Sequence, residues 1–125
     1  MSENKEYVSR ADELGNIHIS EEVLASIAAA AALEVEGVAS LAANLGTDLV
    51  ERLGKKNLAK GVHVKIEEET VSVEMSILMA YGATILDVAK VVQESVKNAV
   101  ESMTGLEVAA VNVNVAGIAF PGKNG

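Results

Sequence analysis

Val62-His63-Val64-Lys65-Ile66-Glu67-Glu68-Glu69-Thr70-Val71-Ser72-Val73-Glu74-Met75-Ser76-Ile77-Leu78-Met79-Ala80-Tyr81-Gly82 decides the fold. Val62, Val64 and Ile66 alternate with His63, Lys65 and Glu67, the period-two signature of a half-buried strand. Glu67 to Thr70 is a short polar run between two such patterns and reads as a hairpin turn. Val71, Val73, Met75, Ile77 and Met79 then alternate with Ser72, Glu74, Ser76, Leu78 and Ala80. The second strand begins with one wet face and ends apolar on both, which predicts a central, covered position. Tyr81-Gly82 breaks it.

Working outward toward the C-terminus, Thr84 is placed to cap a long helix from Ile85 to Met103, with Asp87 where a capping box needs an acid. Ile85, Val88, Val92, Val96, Ala99, Val100 and Met103 fall on one stripe, while Lys90, Glu94, Lys97 and Glu101 form a wet face with pairs four apart. Gly105 supplies a left-handed stop. Val108 to Ile118 is a final strand whose apolar parity changes at Ala109-Ala110, the mark of a bulge.

Toward the N-terminus, Asp48 to Leu53 reads as a short helix capped by Thr47 and ended by Gly54. Before it, Ser20 is a good N-cap, with Glu21 and Glu22 at the positive end of the helix dipole. The helix runs to Leu33, with Val23, Leu24, Ile27, Ala28 and Ala31 expected inward. Its many alanines predict close approach to a neighbour. Gly15 to Ile19 fits a short strand, and residues 1–13 lack any periodicity and read as a flexible acidic tail. The order β-α-α-β-β-α-β predicts an α+β two-layer sandwich: a small mixed sheet with two main helices and one short helix. Residues 14–120 form the expected single domain, and 121–125 a second tail. Leu33-Glu34-Val35-Glu36-Gly37-Val38 weakly echoes Leu106 to Val111.

Composition narrows the function. The chain has 125 residues and carries 10 basic against 18 acidic ones, a net charge of −8. Such a chain is repelled by phosphate backbones outside a local basic patch. Tyr7, Tyr81 and Phe120 are its only aromatics, too few for base-stacking platforms. No nucleic-acid partner is expected. The chain has no cysteine, hence neither a thiolate metal site nor a cysteine nucleophile. The longest nearly apolar run, Val23 to Leu33, is about half of the ~20 residues that span a bilayer.

Catalytic constellations do not assemble in the sequence. His18 and His63 each occupy a polar slot of a short strand, outside any metal-ligating spacing. Glu34 and Glu36 close a helix, and Glu67 to Glu69 sit in a turn where solvation wins. No nucleophile elbow is present, and Gly54-Lys55-Lys56 lacks the upstream glycine and the hydroxyl of a phosphate loop. No cofactor is expected. Arg52, Lys55, Lys56 and Lys60 form the one cluster that opposes the global charge: either a solvated helix end or a patch for an acidic partner, lipid headgroup or neighbouring subunit. Tyr81 and Gly82 stand at a strand-to-helix junction as a packing wedge or an interface anchor, and Gly105 and Asn112 are further structural or interface candidates. Small residues in the first helix and an open edge on the last strand predict self-association.

Ala32 to Val38, Leu53 to Val62, Tyr81-Gly82, Val91 to Val96, and Met103 to Leu106 through Val111 to Val115 together resemble the alkaline shock protein family, the Gls-type envelope stress response proteins of Gram-positive bacteria. The resemblance covers Leu14 to Ile118. Ile85-Leu86-Asp87 stands where family members often carry a proline, and Asn114 where a histidine is frequent. The resemblance implies a non-enzymatic cytoplasmic protein of envelope homeostasis and stress, held at the inner face of the membrane by an anchor protein. The alternative it implies is a regulator that binds fatty-acid synthesis enzymes.

Overall fold

The computed structural model describes residues 7–12, 14–42 and 61–121. The expected short helix and the cluster Arg52, Lys55, Lys56 and Lys60 lie outside them. The element order is β1 (Tyr7–Asp12), β2 (Gly15–Ser20), α1 (Glu21–Leu33), β3 (Val38–Leu41), β4 (Val62–Glu67), β5 (Thr70–Ala80), α2 (Ile85–Thr104) and β6 (Glu107–Ala119). β1 and β2 form an antiparallel ribbon, from Tyr7 opposite Ser20 to Asp12 opposite Gly15. Residues 7–12 are therefore strand and not the expected tail. The cause is visible in β2, which buries little: Ile17 is exposed and only Ile19 packs on the core. A ribbon held by its backbone ladder needs no apolar alternation, so no period announces it.

The main sheet is mixed and built around β5, which is central as its sequence predicts. β3 and β4 pair with it antiparallel on one side, and β6 pairs with it parallel on the other. β3 and β4 share one edge of β5 end to end. Leu41 lies opposite Ile77, and Val62 opposite Met75. Between them Ser76 serves both strands: its carbonyl accepts from Ala42 N at 2.8 Å, and its N–H donates to Gly61 O at 2.9 Å. The chain thus leaves the sheet after Ala42 and rejoins it at Gly61, at one point of β5.

The hairpin between β4 and β5 is as tight as expected. Glu67 pairs with Thr70, and Glu68 takes a positive φ of 52°, where two-residue turns favour glycine. The bulge in β6 is also present. The register skips Ala109 between Val108 and Ala110, and a second skip passes Ala116.

α1 and α2 pack on each other and on one face of the sheet. Ser20 caps α1 as predicted, its hydroxyl accepting from Val23 N at 3.2 Å. The buried stripe is Leu24, Ala25, Ala28, Ala29 and Ala32, while Val23 is exposed. Leu24 and Ala28 are buried as expected, Ala25, Ala29 and Ala32 join them, and Ile27 and Ala31 pack only partly against the core, so the stripe is shifted toward alanines. Close approach explains this choice. At Gly37, just past α1, a Cβ would lie 2.7 Å from a Val88 methyl of α2.

In α2, Val92, Val96 and Val100 are fully buried, as predicted. Ile85 and Met103 are exposed, contrary to expectation. Thr84 sits at the N-cap in extended backbone, but its side chain makes no capping bond. Gly105 ends the helix at φ 78° as expected. The core is completed by Val71, Val73, Met75, Ile77 and Met79 of β5. Among the described residues, no helix covers the opposite face of β5. Ser72, Ser76, Leu78 and Ala80 are half-buried there and Glu74 is exposed. Leu78 gains its shelter within the sheet, lying against Gly117 of β6.

Candidate interaction surface

The open face and the β6 edge gather most of the candidate residues. Asn112 is exposed on β6 opposite Glu74, and Glu74 lies opposite His63 of β4. His63, Glu74 and Asn112 thus form one row across the open face. Tyr81 lies at the far end of β5, where β6 also ends. Its N–H donates to Ala119 O at 3.1 Å. Its ring meets Phe120 with centroids 5.1 Å apart and planes tilted by 40°. Each residue is 64% exposed, so the pair is an aromatic surface feature rather than a core wedge. Gly82 turns the chain at φ 97° with open space around it. From Asn112's register to Ala80 is six residues, about 20 Å of strand, so Asn112 and the aromatic pair mark different regions of the surface. Gly105 acts as a helix stop.

Two side chains of α2, Gln93 and Glu101, the latter expected only on the wet face, reach the backbone of β6. Gln93 Nε2 donates to Val111 O at 2.9 Å, and Glu101 Oε2 accepts from Val108 N at 3.0 Å. Glu101 is also held by Lys97, whose Nζ lies 3.1 Å from both carboxylate oxygens. The Val108 N–H first, and then the Lys97 ammonium, hold the Glu101 carboxyl below its ordinary value of 4.5. The signal available in sequence was the eight-residue spacing of Gln93 and Glu101, which places them on similar sides of a helix.

A pH dependence follows. A carboxylate depressed in the fold contributes stability above its unfolded pKa and loses it as pH falls through the folded one. Glu101→Gln should therefore unfold at lower temperature than the parent at pH 7. The gap should close as pH drops below about 4.5. Thermal unfolding followed from pH 7 to 3 checks this, and a gap unchanged across that range would remove Glu101's charge from the account.

The other candidates do not converge on a chemical site. His18, His63, Glu34, Glu36 and Glu74 are all exposed. Glu67, Glu68, Glu69 and Glu107 lie around an open concavity at the hairpin end. Among the described residues, no group of three or more His, Cys, Asp or Glu is arranged to hold a metal ion. Among them, too, no helix is long and apolar enough to cross a membrane.

Comparison with known proteins places this surface in a family. No solved structure matches the chain. It is 37% identical over 110 residues to the uncharacterized protein YqhY of Bacillus subtilis (strain 168), covering 88% of this chain and 82% of that one. It is 39% identical over 106 residues to the uncharacterized protein YloU of the same organism, covering 83% and 88%. With the uncharacterized protein Spy1614 of Streptococcus pyogenes serotype M6 it shares 38% identity over 112 residues, covering 88% and 93%. Residues 9–120, nearly all of the fold just described, match the alkaline shock protein 23 family, and the chain belongs to that family, whose function is cell envelope-related.

Proposed function

We propose that this chain is a non-enzymatic scaffold or adaptor of the cell envelope, cytoplasmic and recruited to the inner face of the membrane by a partner protein. The observation that carries this reading is the kind of surface the fold presents. Among the described residues, one sheet face and one strand edge are left open, and the exposed carboxylates and histidines are scattered rather than gathered in a cleft. Such a surface suits contact with another macromolecule better than turnover of a small one. The envelope-related function of the family supports the same reading.

The cluster Arg52, Lys55, Lys56 and Lys60 is the proposed docking element for an acidic partner. It is carried on the stretch that departs after Ala42 and returns at Gly61. Fractionation of cells expressing the parent chain and a version with all four positions changed to Glu tests the proposal. The parent should sediment with membranes and the charge-reversed chain should shift to the supernatant. Equal distribution of the two would end the docking role of the cluster. A parent chain that stays diffuse in cells with intact envelopes would end the adaptor reading.

A further inference from the structure

We propose that β6 pairs along its free edge with β6 of a second copy, antiparallel about a two-fold axis at Val113. This gives the self-association of the scaffold a defined interface, and for its use in the cell it rests on that reading. β6 has thirteen residues and, among the described residues, pairs only with β5. Its other edge is a row of backbone donors and acceptors. Natural proteins guard such edges with charge, proline, bulges or a covering element. Here the guarding is partial. Glu101 and Gln93 occupy Val108 N and Val111 O, and the Ala109 bulge lies between them. Beyond Val111 neither side chain reaches. From Val108 to Ala119 the strand contains no charged residue, and the first proline is Pro121. The opposite side of the sheet differs, since β4 carries exposed His63, Lys65 and Glu67.

The sequence of the edge points to its occupant. Ala110-Val111-Asn112-Val113-Asn114-Val115-Ala116 reads the same in both directions. Its flanks continue the match in kind, with Ala109 against Gly117 and Val108 against Ile118. An antiparallel pair about a two-fold axis places each residue opposite its mirror position, so a palindromic strand is self-complementary there. The phase of the backbone agrees. Val111's carbonyl is taken by Gln93 on the outer side, so Val113 and Val115, two and four residues on, also present their backbone groups outward. Val113 would exchange both hydrogen bonds with its own copy, and Val111 with Val115 of the second chain. Val111's carbonyl keeps a lone pair for this while Gln93 holds the other. The valines would join the two cores on the helix side. Asn112 would stand opposite Asn114 of the second chain on the open face, in the closer, non-hydrogen-bonded pairs.

One feature of the helix layer agrees as well. A two-fold axis perpendicular to the sheet puts both helix layers on the same side, with the two α2 helices flanking the seam. Leu86 precedes Gln93 by two turns and so lies on the same side of α2. It is 71% exposed and would face the seam.

Sedimentation of the purified chain over a wide concentration range, with two double variants, tests the interface. Asn112→Lys with Asn114→Lys sets like charges opposite each other twice. Asn112→Lys with Asn114→Glu sets opposite charges in the same places. The parent should form a dimer. The like-charge variant should weaken it about tenfold or more, roughly 1.4 kcal/mol, and the opposite-charge variant should restore it. Both asparagines are exposed, so thermal unfolding should be nearly unchanged at low concentration. Hydrogen exchange of the parent gives a readout without any variant: the Val113 amide should slow as concentration rises. A parent monomeric at millimolar concentration, double variants of equal dimer affinity, or a Val113 amide indifferent to concentration would each overturn the proposal. So would a β6 edge that binds only a strand from a different protein. None of these depends on membrane recruitment, so the interface and the adaptor role fail separately.

Discussion

Gly61→Ala is expected to destabilise the chain by about 3 kcal/mol, far more than an alanine substitution in an ordinary turn. Two costs combine. Gly61 has a φ of +84°, a region that costs an L-residue about 1–2 kcal/mol. A Cβ there would also lie 2.7 Å from Ala42 O and 3.5 Å from Ser76 O. These are backbone atoms of the sheet, and Ala42 and Gly61 are both hydrogen-bonded to Ser76. No side chain can rotate away, so relief requires breaking one of those bonds, each worth about 1 kcal/mol. Gly82→Ala separates the two costs. Its φ of +97° is similarly adverse, but nothing lies within 4 Å of the added carbon, so it should lose only about 1–2 kcal/mol. Chemical denaturation of both variants checks the difference. Equal losses would mean that β3 and β4 do not meet at Ser76. That point matters for function, because it fixes where the stretch bearing Arg52, Lys55, Lys56 and Lys60 departs from the sheet.

What could be read from the sequence depended on whether a residue's role was local. β4, the two-residue turn, β5 and the length of α2 were legible, because alternation and helical period are imposed by burial on one face. Ser20 and Gly105 were legible because caps are local chemistry. The phase of α1 was not, since an alanine-rich helix offers nearly equal stripes and the choice is made by its neighbour. Val88 beside Gly37 shows how close that neighbour comes. β1 was hidden because residues 7–12 carry no apolar period, and a backbone ladder with β2 does not require one. The surface divides in the same way. Tyr81 stood out as a rare aromatic, but its partnership with Phe120 depends on β5 and β6 being parallel and ending together. The guarding of Val108 and Val111 by Glu101 and Gln93 links a helix to a strand edge: the eight-residue spacing puts both side chains on one side of α2, but nothing within the helix names the strand they reach. The palindrome of β6 was present in the sequence all along. It acquires meaning only once the strand is known to be an edge.

Ile77→Ala should cost about 4 kcal/mol, the largest loss expected of any single change considered. Ile77 is fully buried at the centre of β5, the strand on which the main sheet is built. Truncation removes its transfer free energy and leaves a cavity, and such changes cost about 2–5 kcal/mol in well-packed sites. The upper part of that range applies here. Met75 and Met79 flank Ile77 on the same face, and the valines of α2 are fully buried in the same core cluster, so collapse into the space is restricted by two layers at once. In a domain of this size the midpoint of thermal unfolding should fall by about 12–20 °C. The neighbouring change Leu78→Ala is the informative contrast. Leu78 points to the opposite face, is half-buried and lies against Gly117. Only part of its surface is removed from water, so its truncation should cost about 1 kcal/mol. The ratio between two adjacent residues therefore measures how one-sided the sheet is. A Leu78→Ala loss equal to that of Ile77→Ala, in dilute solution where the chain is monomeric, would mean that the second face is covered too. The adaptor would then lose its open face. A small Leu78 loss beside a large Ile77 loss leaves that face free for a partner, with stability supplied entirely from the helix side.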